Sequence, residues 1–514
     1  MKSALCGAGA MLAAWMVLAA GAAWARDAEP VARIPLGPMG YQTMLPEFLL
    51  GGSSMLTVHF VDADHLLVTF GLRRLMKREP GDPADDDRMV GAALVELPSG
   101  KALARTEWRL HDRGQYLWEL GHGRFLLRVR SQLTVLAPMA AGGAKDAFRE
   151  TPLLRADRRI VALQVSANQD LLTLETTKLA GAETEAAPVQ LNFYRLKSTG
   201  AEGLLATPAG AIRARTVVDL PMTTGGFLDV IEGGKDRWLF NFDEHAGKVN
   251  ELAEWDTTCA PCATFVGHGE FVAFGCMGSE EKLALGGFNL KGEEMWQQSM
   301  DTHVAPAFAF ASAAGRFALE RIVVTVAVDE EAPLLQGMVS GQEVRVVQSY
   351  DGRVLFKIDC SPVERAGQNF ALSADGMRLA VVRETLVHHA ATKDYDEYTE
   401  REAAVEVYAL PPLTEKDQAE VKSAEAMAPQ DVGARIDLSL ERVSTLLAGD
   451  AAGGASGARE SSAQAAASVA TAGAAAAATA ASTSAIVLGD PEPGAARKRP
   501  TLYGPDEKPG SSSR

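Results

Sequence analysis

One short element recurs along this chain: a turn of small or turn-forming residues, then an apolar strand opening on a large side chain. The opening residues are Leu66, Phe125, Leu171, Trp238, Phe271, Phe317 and Leu379. Their turns include Asp62-Ala63-Asp64-His65, Ala167-Asn168-Gln169-Asp170, Gly233-Gly234-Lys235-Asp236, Gly267-His268-Gly269-Glu270 and Ser373-Ala374-Asp375-Gly376. Seven copies span 313 residues, from Leu66 to Leu379, in six intervals of 33 to 67 residues. Single units of this kind cannot cover their own apolar faces, so a chain that repeats them stacks them. An interval near 50 residues fits a four-stranded blade, and the fold class predicted is all-β, a β-propeller of about seven four-stranded blades, with six to eight allowed by the uneven spacing. The 33-residue interval from Trp238 to Phe271 is the one that fits least well.

A second element, a strand, a Gly turn and another strand, occurs at Leu94 to Lys101, Phe288 to Trp296 and Val346 to Phe356. Glycine supplies the backbone freedom that tight hairpins need, and these read as the outer hairpins of their blades. The segment Phe370 to Val381, with Ser373-Ala374-Asp375-Gly376 at its centre, resembles the strand, turn and strand of WD-like bacterial propellers, including the periplasmic Tol-system propeller. Gly287 to Trp296 resembles the repeat of quinoprotein-type propellers. The resemblance implies a propeller architecture. Without the Trp-Asp ending of WD repeats or a full set of quinoprotein repeat tryptophans it implies no cofactor, and none is expected.

An open ring would leave unpaired edges at its first and last blades. Val31 to Leu36 is expected to close it, as an outer strand beside Val405 to Leu410. The chain then divides into a signal peptide (1–25), a lead-in segment (26–50), the propeller (51–412), a linker (413–450) and a tail (451–514). Within the linker Gly433 to Leu447 alone has the Leu, Ile and Val to dock on the body, and the Ala-, Gly- and Ser-rich tail is expected to be disordered.

At the start, Lys2, an apolar stretch and Ala23-Trp24-Ala25 before Arg26-Asp27 have the order of a cleavable secretory signal, cut between Ala25 and Arg26. The product is expected to be exported, to the periplasm or the medium, with no membrane span after cleavage. The full chain's formal net charge of −16, which becomes −17 when Lys2 leaves with the signal, argues against nucleic acid as a partner.

Four cysteines follow the signal: Cys259, Cys262, Cys276 and Cys360. In an exported chain they are disulfide candidates, and either Cys259 or Cys262 is placed to reach Cys276 across a hairpin. Cys259-Ala-Pro-Cys262 has redox spacing without a βαβ setting, and neither haem nor zinc motifs are complete around it. Acidic runs at Asp82 to Asp87 and Asp394 to Glu397 lack a calcium-loop pattern and read as solvated loops. His59, Asp62, Asp64 and His65 straddle a strand and its turn, which scatters their side chains, and His388-His389 reads as exposed. No catalytic signature stands out: Ser279 to Lys282 matches S-x-x-K without its partner motifs. The aromatic residues Tyr116, Trp118, Trp238, Trp255 and Trp296 read as blade core.

Two expectations follow. The first is a non-catalytic exported propeller that presents a face or funnel to a protein or cell-envelope partner. The second is a propeller enzyme, a hydrolase or lyase on an extracellular polymer or a quinone-dependent oxidoreductase, with its site in the central funnel.

Overall fold

The computed structural model describes residues 29–42, 56–72, 88–110, 115–140, 146–177, 189–200, 203–214, 220–245, 247–278, 282–324, 339–360, 369–391, 397–431, 433 and 435–436. The expected signal and its cleavage point, the acidic loop 82–87 and the tail 451–514 lie outside them.

The strands form seven antiparallel sheets. Strand β1 (Ala32–Pro35) belongs to the last sheet. Blade 1 holds β2 (Thr57–Asp62), β3 (His65–Leu72), β4 (Arg88–Glu96) and β5 (Ala102–Leu110). Blade 2 holds β6 (Leu117–Glu119), β7 (Phe125–Val129), β8 (Gln132–Pro138) and β9 (Phe148–Arg155), and blade 3 holds β10 (Arg159–Val165), β11 (Leu171–Thr177), β12 (Val189–Ser198) and β13 (Leu204–Ala214). Blade 4 holds β14 (Gly226–Gly234), β15 (Arg237–Glu244) and β16 (Val249–Asp256). Blade 5 holds β17 (Cys262–Phe265), β18 (Glu270–Met277), β19 (Lys282–Asn289) and β20 (Glu294–Ser299). Blade 6 holds β21 (Phe308–Ala311), β22 (Arg316–Val324), β23 (Val339–Gln348) and β24 (Val354–Cys360). Blade 7 holds β25 (Phe370–Leu372), β26 (Arg378–His389), β27 (Tyr398–Ala409) and, outermost, β1.

Why these residues make a ring follows from burial. The second strand of a blade buries both faces, so it reads as a continuous apolar run where a half-exposed strand would alternate. Leu66, Val68 and Phe70 of β3 pack toward blade 7, while Leu67 packs toward blade 2. Seven such clusters lie between successive blades, the last joining blade 7 to blade 1. With β1 paired to β27 through Ala32↔Val407 and Ile34↔Val405, the seven sheets make a closed, seven-bladed β-propeller.

In six blades the recurring large residue opens the second strand and is fully buried, as expected. Blade 4 corrects the reading. Trp238 lies in β15 and is only half-buried, and the equivalent residue is Phe227, buried at the start of β14 after the turn Thr223 to Gly226. A short innermost segment pairs with it through the Met222↔Phe227 bridge and the Leu228 N–H to Pro221 carbonyl bond (2.9 Å). With Phe227 in place, Leu171 to Phe227 is 56 residues and Phe227 to Phe271 is 44, and the anomalous interval disappears.

A second correction concerns the linker. Docking does not begin at Gly433: helix α1 (Glu415–Met427) already lies on the ring, and of the segment expected to dock, Ile436 is buried between blades 3 and 4.

Ile34 sits in the cluster that closes the ring and is fully buried. Ile34→Ala is expected to lower unfolding stability in denaturant by about 2–5 kcal/mol. Val31→Ala, at a half-exposed neighbour, should shift it by no more than about 0.5 kcal/mol.

Candidate functional site

The seven turns between first and second strands converge on one face. Ser312 Oγ in the blade 6 turn lies within hydrogen-bonding reach of the carbonyls of Ala167 (3.1 Å) and Val266, in blades 3 and 5, which share its one proton, so three turns meet over the central channel and close it. Behind them lies a cavity of about 280 Å³, walled by the innermost segments of blades 2 to 6. It runs from Ser166 and Ala167 at the closed end to Gln115 and Pro306, where the innermost strands begin. Trp118, Met222, Phe265, Phe308 and Phe310 line it, the last pair stacked at 5.8 Å. Among the described residues that line it, none is Asp, Glu, His, Lys or Arg.

Across the same face runs a strap formed by Leu413 to Ile436. Leu413 packs in the blade 6/7 cluster, after which Thr414 caps α1 in a reciprocal pair with Asp417 (2.8 and 3.1 Å). Asp417, buried, also accepts from Tyr350 (2.9 Å) and Arg353 (3.0 Å) of the blade 6 outer hairpin. Further along, Asp431 pairs with Arg195 at 2.8 Å, and the Ile436 N–H bonds the Ala209 carbonyl at 2.9 Å. The strap crosses blades by lying on glycines: a Cβ at Gly269 would clash with the Ala424 carbonyl, and one at Gly210 with that of Ile436.

The strap and the blade turns share one charged cluster. His268 bonds Asp170 through Nε2 (2.7 Å) and Glu425 of α1 through Nδ1 (2.9 Å), while Asn168 donates to Glu425 (3.3 Å). Burial alone would lower the His268 pKa, but the bonds and charges of Asp170 and Glu425 outweigh it and push it up to about 9. Asp170 is held below the usual range because His268 overcomes its burial, and Glu425 chiefly by its bond to His268. Nearby, burial raises Glu270 despite its bond from Ser349 (2.6 Å). With both ring nitrogens engaged by carboxylates, the imidazolium is a fixed cation with no lone pair to accept a proton.

The structure separates the residues singled out in sequence. Cys259 and Cys276 form a disulfide, so the choice between Cys259 and Cys262 falls to Cys259. A loop of this length is worth about 3 kcal/mol in the chain-entropy account. The other two candidates are outside any disulfide, which corrects the four-cysteine expectation: Cys262 lines the cavity, and Cys360 is buried between blades 6 and 7, where burial pushes its thiol up to about 12. Their distance apart in the fold, one on the channel and one in an outer strand, prevents pairing. His59 bonds Glu119 (3.1 Å) and His65 bonds Asp62 (2.8 Å), so that set is divided between two pairs. His388 pairs with Glu397 (2.6 Å) at the blade 7 rim, while 394–396 and Ser279 lie outside the described residues. Tyr116 and Trp255 are blade core, whereas Trp118 turns into the channel. Among the described residues no group of three His, Cys, Asp or Glu is placed to hold a metal, and no helix is long and apolar enough to cross a membrane.

No protein-family model matches the chain, and no curated protein matches it in sequence. Among solved structures it is similar to prolyl oligopeptidase B from Galerina marginata, at 10% identity over 66% of this chain and 44% of that one, TM-score 0.31. It thus spans less than half of that peptidase. It is also similar to Sqt1 of Chaetomium thermophilum, solved with the N-terminus of ribosomal protein L10, at 10% identity over 74% of this chain and 100% of that one, TM-score 0.35. The β-propeller domain of the Trilobed protease from Pyrococcus furiosus matches at 8% identity over 70% of this chain and 98% of that one, TM-score 0.35. These likenesses are of fold.

The charge cluster gives the strap a pH dependence. Because the folded pKa of His268 is raised from 6.5 to about 9, its contribution is complete below about pH 6.5 and is lost as pH rises through 9. The depressed Asp170 and Glu425 act oppositely, losing their contribution as pH falls below the carboxylate range. Amide exchange in α1, corrected for its intrinsic rate, should therefore accelerate between pH 7 and 9.5. His268→Gln should remove that dependence and weaken docking by on the order of 1–2 kcal/mol, allowing for the solvent around half-exposed Glu425.

Proposed function

We propose that this chain is an exported, non-catalytic interaction module, a rigid propeller that offers a protein or cell-envelope partner the face opposite the strap. The observation that carries the reading is an asymmetry between the two faces. Turns on the strap side are short and packed together under α1. Strand ends on the other side are joined by the long segments 73–87, 178–188, 325–338 and 361–368. Long connections held on a rigid scaffold are where binding surfaces concentrate. The strap lies over the short-turn face and leaves the other to a partner. The tail beyond Ile436 serves as a tether or spacer, and the disulfide suits an oxidising compartment.

A photo-crosslinking amino acid placed singly at exposed Arg130, Asp157 or Asp236, all on the long-connection face, should yield the same discrete adduct in cells. Placed at exposed Asp64 or Ala374 on the strap face it should yield none. Adducts from the strap face alone would reverse the assignment, and none from any position would overturn the module reading. The protein recovered from the periplasm or medium should begin at Arg26 by N-terminal sequencing, and retention of residues 1–25 in the cytoplasm would refute export.

A further inference from the structure

The channel cavity has a shape and chemistry that the interaction reading does not use. It has a closed end, because the Ser166–Asp170, Val266–Glu270 and Ser312–Gly315 turns are joined by Ser312 and pressed under α1. Among the described residues its wall carries no ionisable side chain apart from one thiol, while Trp118, Phe308 and Phe310 keep part of their ring surface accessible inside it. Gln115, Gln164, Ser166, Thr173 and Thr264 can bond water there, but the faces of those three rings cannot, so an occupant that buries the rings gains their transfer free energy. Ions and charged sugars or peptides would instead lose hydration without a compensating charge.

Size narrows the class further. A cavity of about 150 Å³ accommodates benzene. One of about 280 Å³ has room for roughly twice that, a molecule of about 12 non-hydrogen atoms. We propose that the central channel is a binding site for a compact, uncharged aromatic compound of two fused or linked rings, entering from the long-connection face and stacking on Trp118, Phe308 and Phe310. This stands whether or not that face has a protein partner.

Cys262 makes the site addressable without a substitution. It lines the cavity, whereas Cys360 is buried in the core with its thiol pushed up to about 12, so a neutral maleimide should modify Cys262 alone in the folded protein. The full mature chain would be titrated with naphthalene and with the fluorescent N-phenyl-1-naphthylamine, read by energy transfer from tryptophan. Saturable binding with one site per chain is expected, and naphthalene should displace the probe. Occupancy should slow Cys262 alkylation at least fivefold, and prior alkylation should weaken probe binding at least tenfold with the circular dichroism unchanged. In Cys262→Ser, probe binding should be indifferent to maleimide, and Trp118→Phe should reduce the energy transfer. No saturable binding, more than one site, or binding untouched by Cys262 alkylation in the folded protein would each overturn the proposal. The crosslinking outcome does not bear on it.

Discussion

Every sheet in this molecule must be covered on both sides, and among the described residues the main cover for a blade is the next blade. That constraint makes the ring an all-or-nothing structure, since each of the seven apolar clusters is built from two sheets and the seventh exists only when β1 reaches β27. The closing strand is short, but its register puts Ala32 and Ile34 into the cluster with Val58, Leu66 and Val68 of blade 1. Four residues thus cover the edge of β27 from Ala404 to Val407, the part that carries the buried Val405 and Val407 of the closing cluster.

Apolar packing has no direction, and in five blades the position just before the opening large residue supplies one. Arg124 reaches from blade 2 to the Gly203 carbonyl (2.8 Å) and Ser198 of blade 3, and Asp170 from blade 3 accepts from Thr224 of blade 4 (3.3 Å). Glu270 accepts from Ser349 of blade 6, fully buried Arg316 donates to the Gly376 carbonyl of blade 7 (2.7 Å), and Arg378 donates to the Ala63 carbonyl of blade 1. Burying such groups is costly unless each finds its partner, so a blade set at the wrong angle is penalised. Blade 4 has Gly226 at this position, where a Cβ would run into the Phe242 ring and the Asp243 carbonyl. Its junction with blade 5 uses other means: the Cys259–Cys276 disulfide and the aromatic cluster in which Phe271 and Phe288 stack at 5.2 Å with Phe240 alongside.

The same details explain what the sequence made legible. Six turns were readable because a large apolar residue follows small ones and opens a strand buried on both faces. In blade 4 the innermost segment is reduced to a single bridge, and Gly233-Gly234-Lys235-Asp236, a true hairpin turn between β14 and β15, is the stronger local signal. Cys259 and Cys276 were candidates by type, but only the path of the chain from β16 to β17 selects between Cys259 and Cys262. In the sequence His268 and Asp170 are turn residues without a role, because the partners that define them lie 98 and 157 residues away. Helix α1 is polar around most of its surface, so no apolar stripe announces that it docks.

That polarity is informative about what the strap does. Its held points, Asp417, Glu425 and Asp431, each meet a cation or hydroxyl belonging to a blade, and two glycines let its backbone lie close. An apolar helix would bury itself wherever a patch allowed, whereas these pairs specify one path across blades 6, 5 and 3. Midway along this path Glu425 meets the Ser166–Asp170 turn, whose first half, Ser166 and Ala167, lines the closed end of the channel, while Asn168 and Asp170 hold Glu425 and His268. One turn therefore belongs to both features. A displacement of the strap that frees His268 from Glu425 leaves the imidazolium to Asp170 alone, so one support of the turn behind the cavity depends on the path the strap takes.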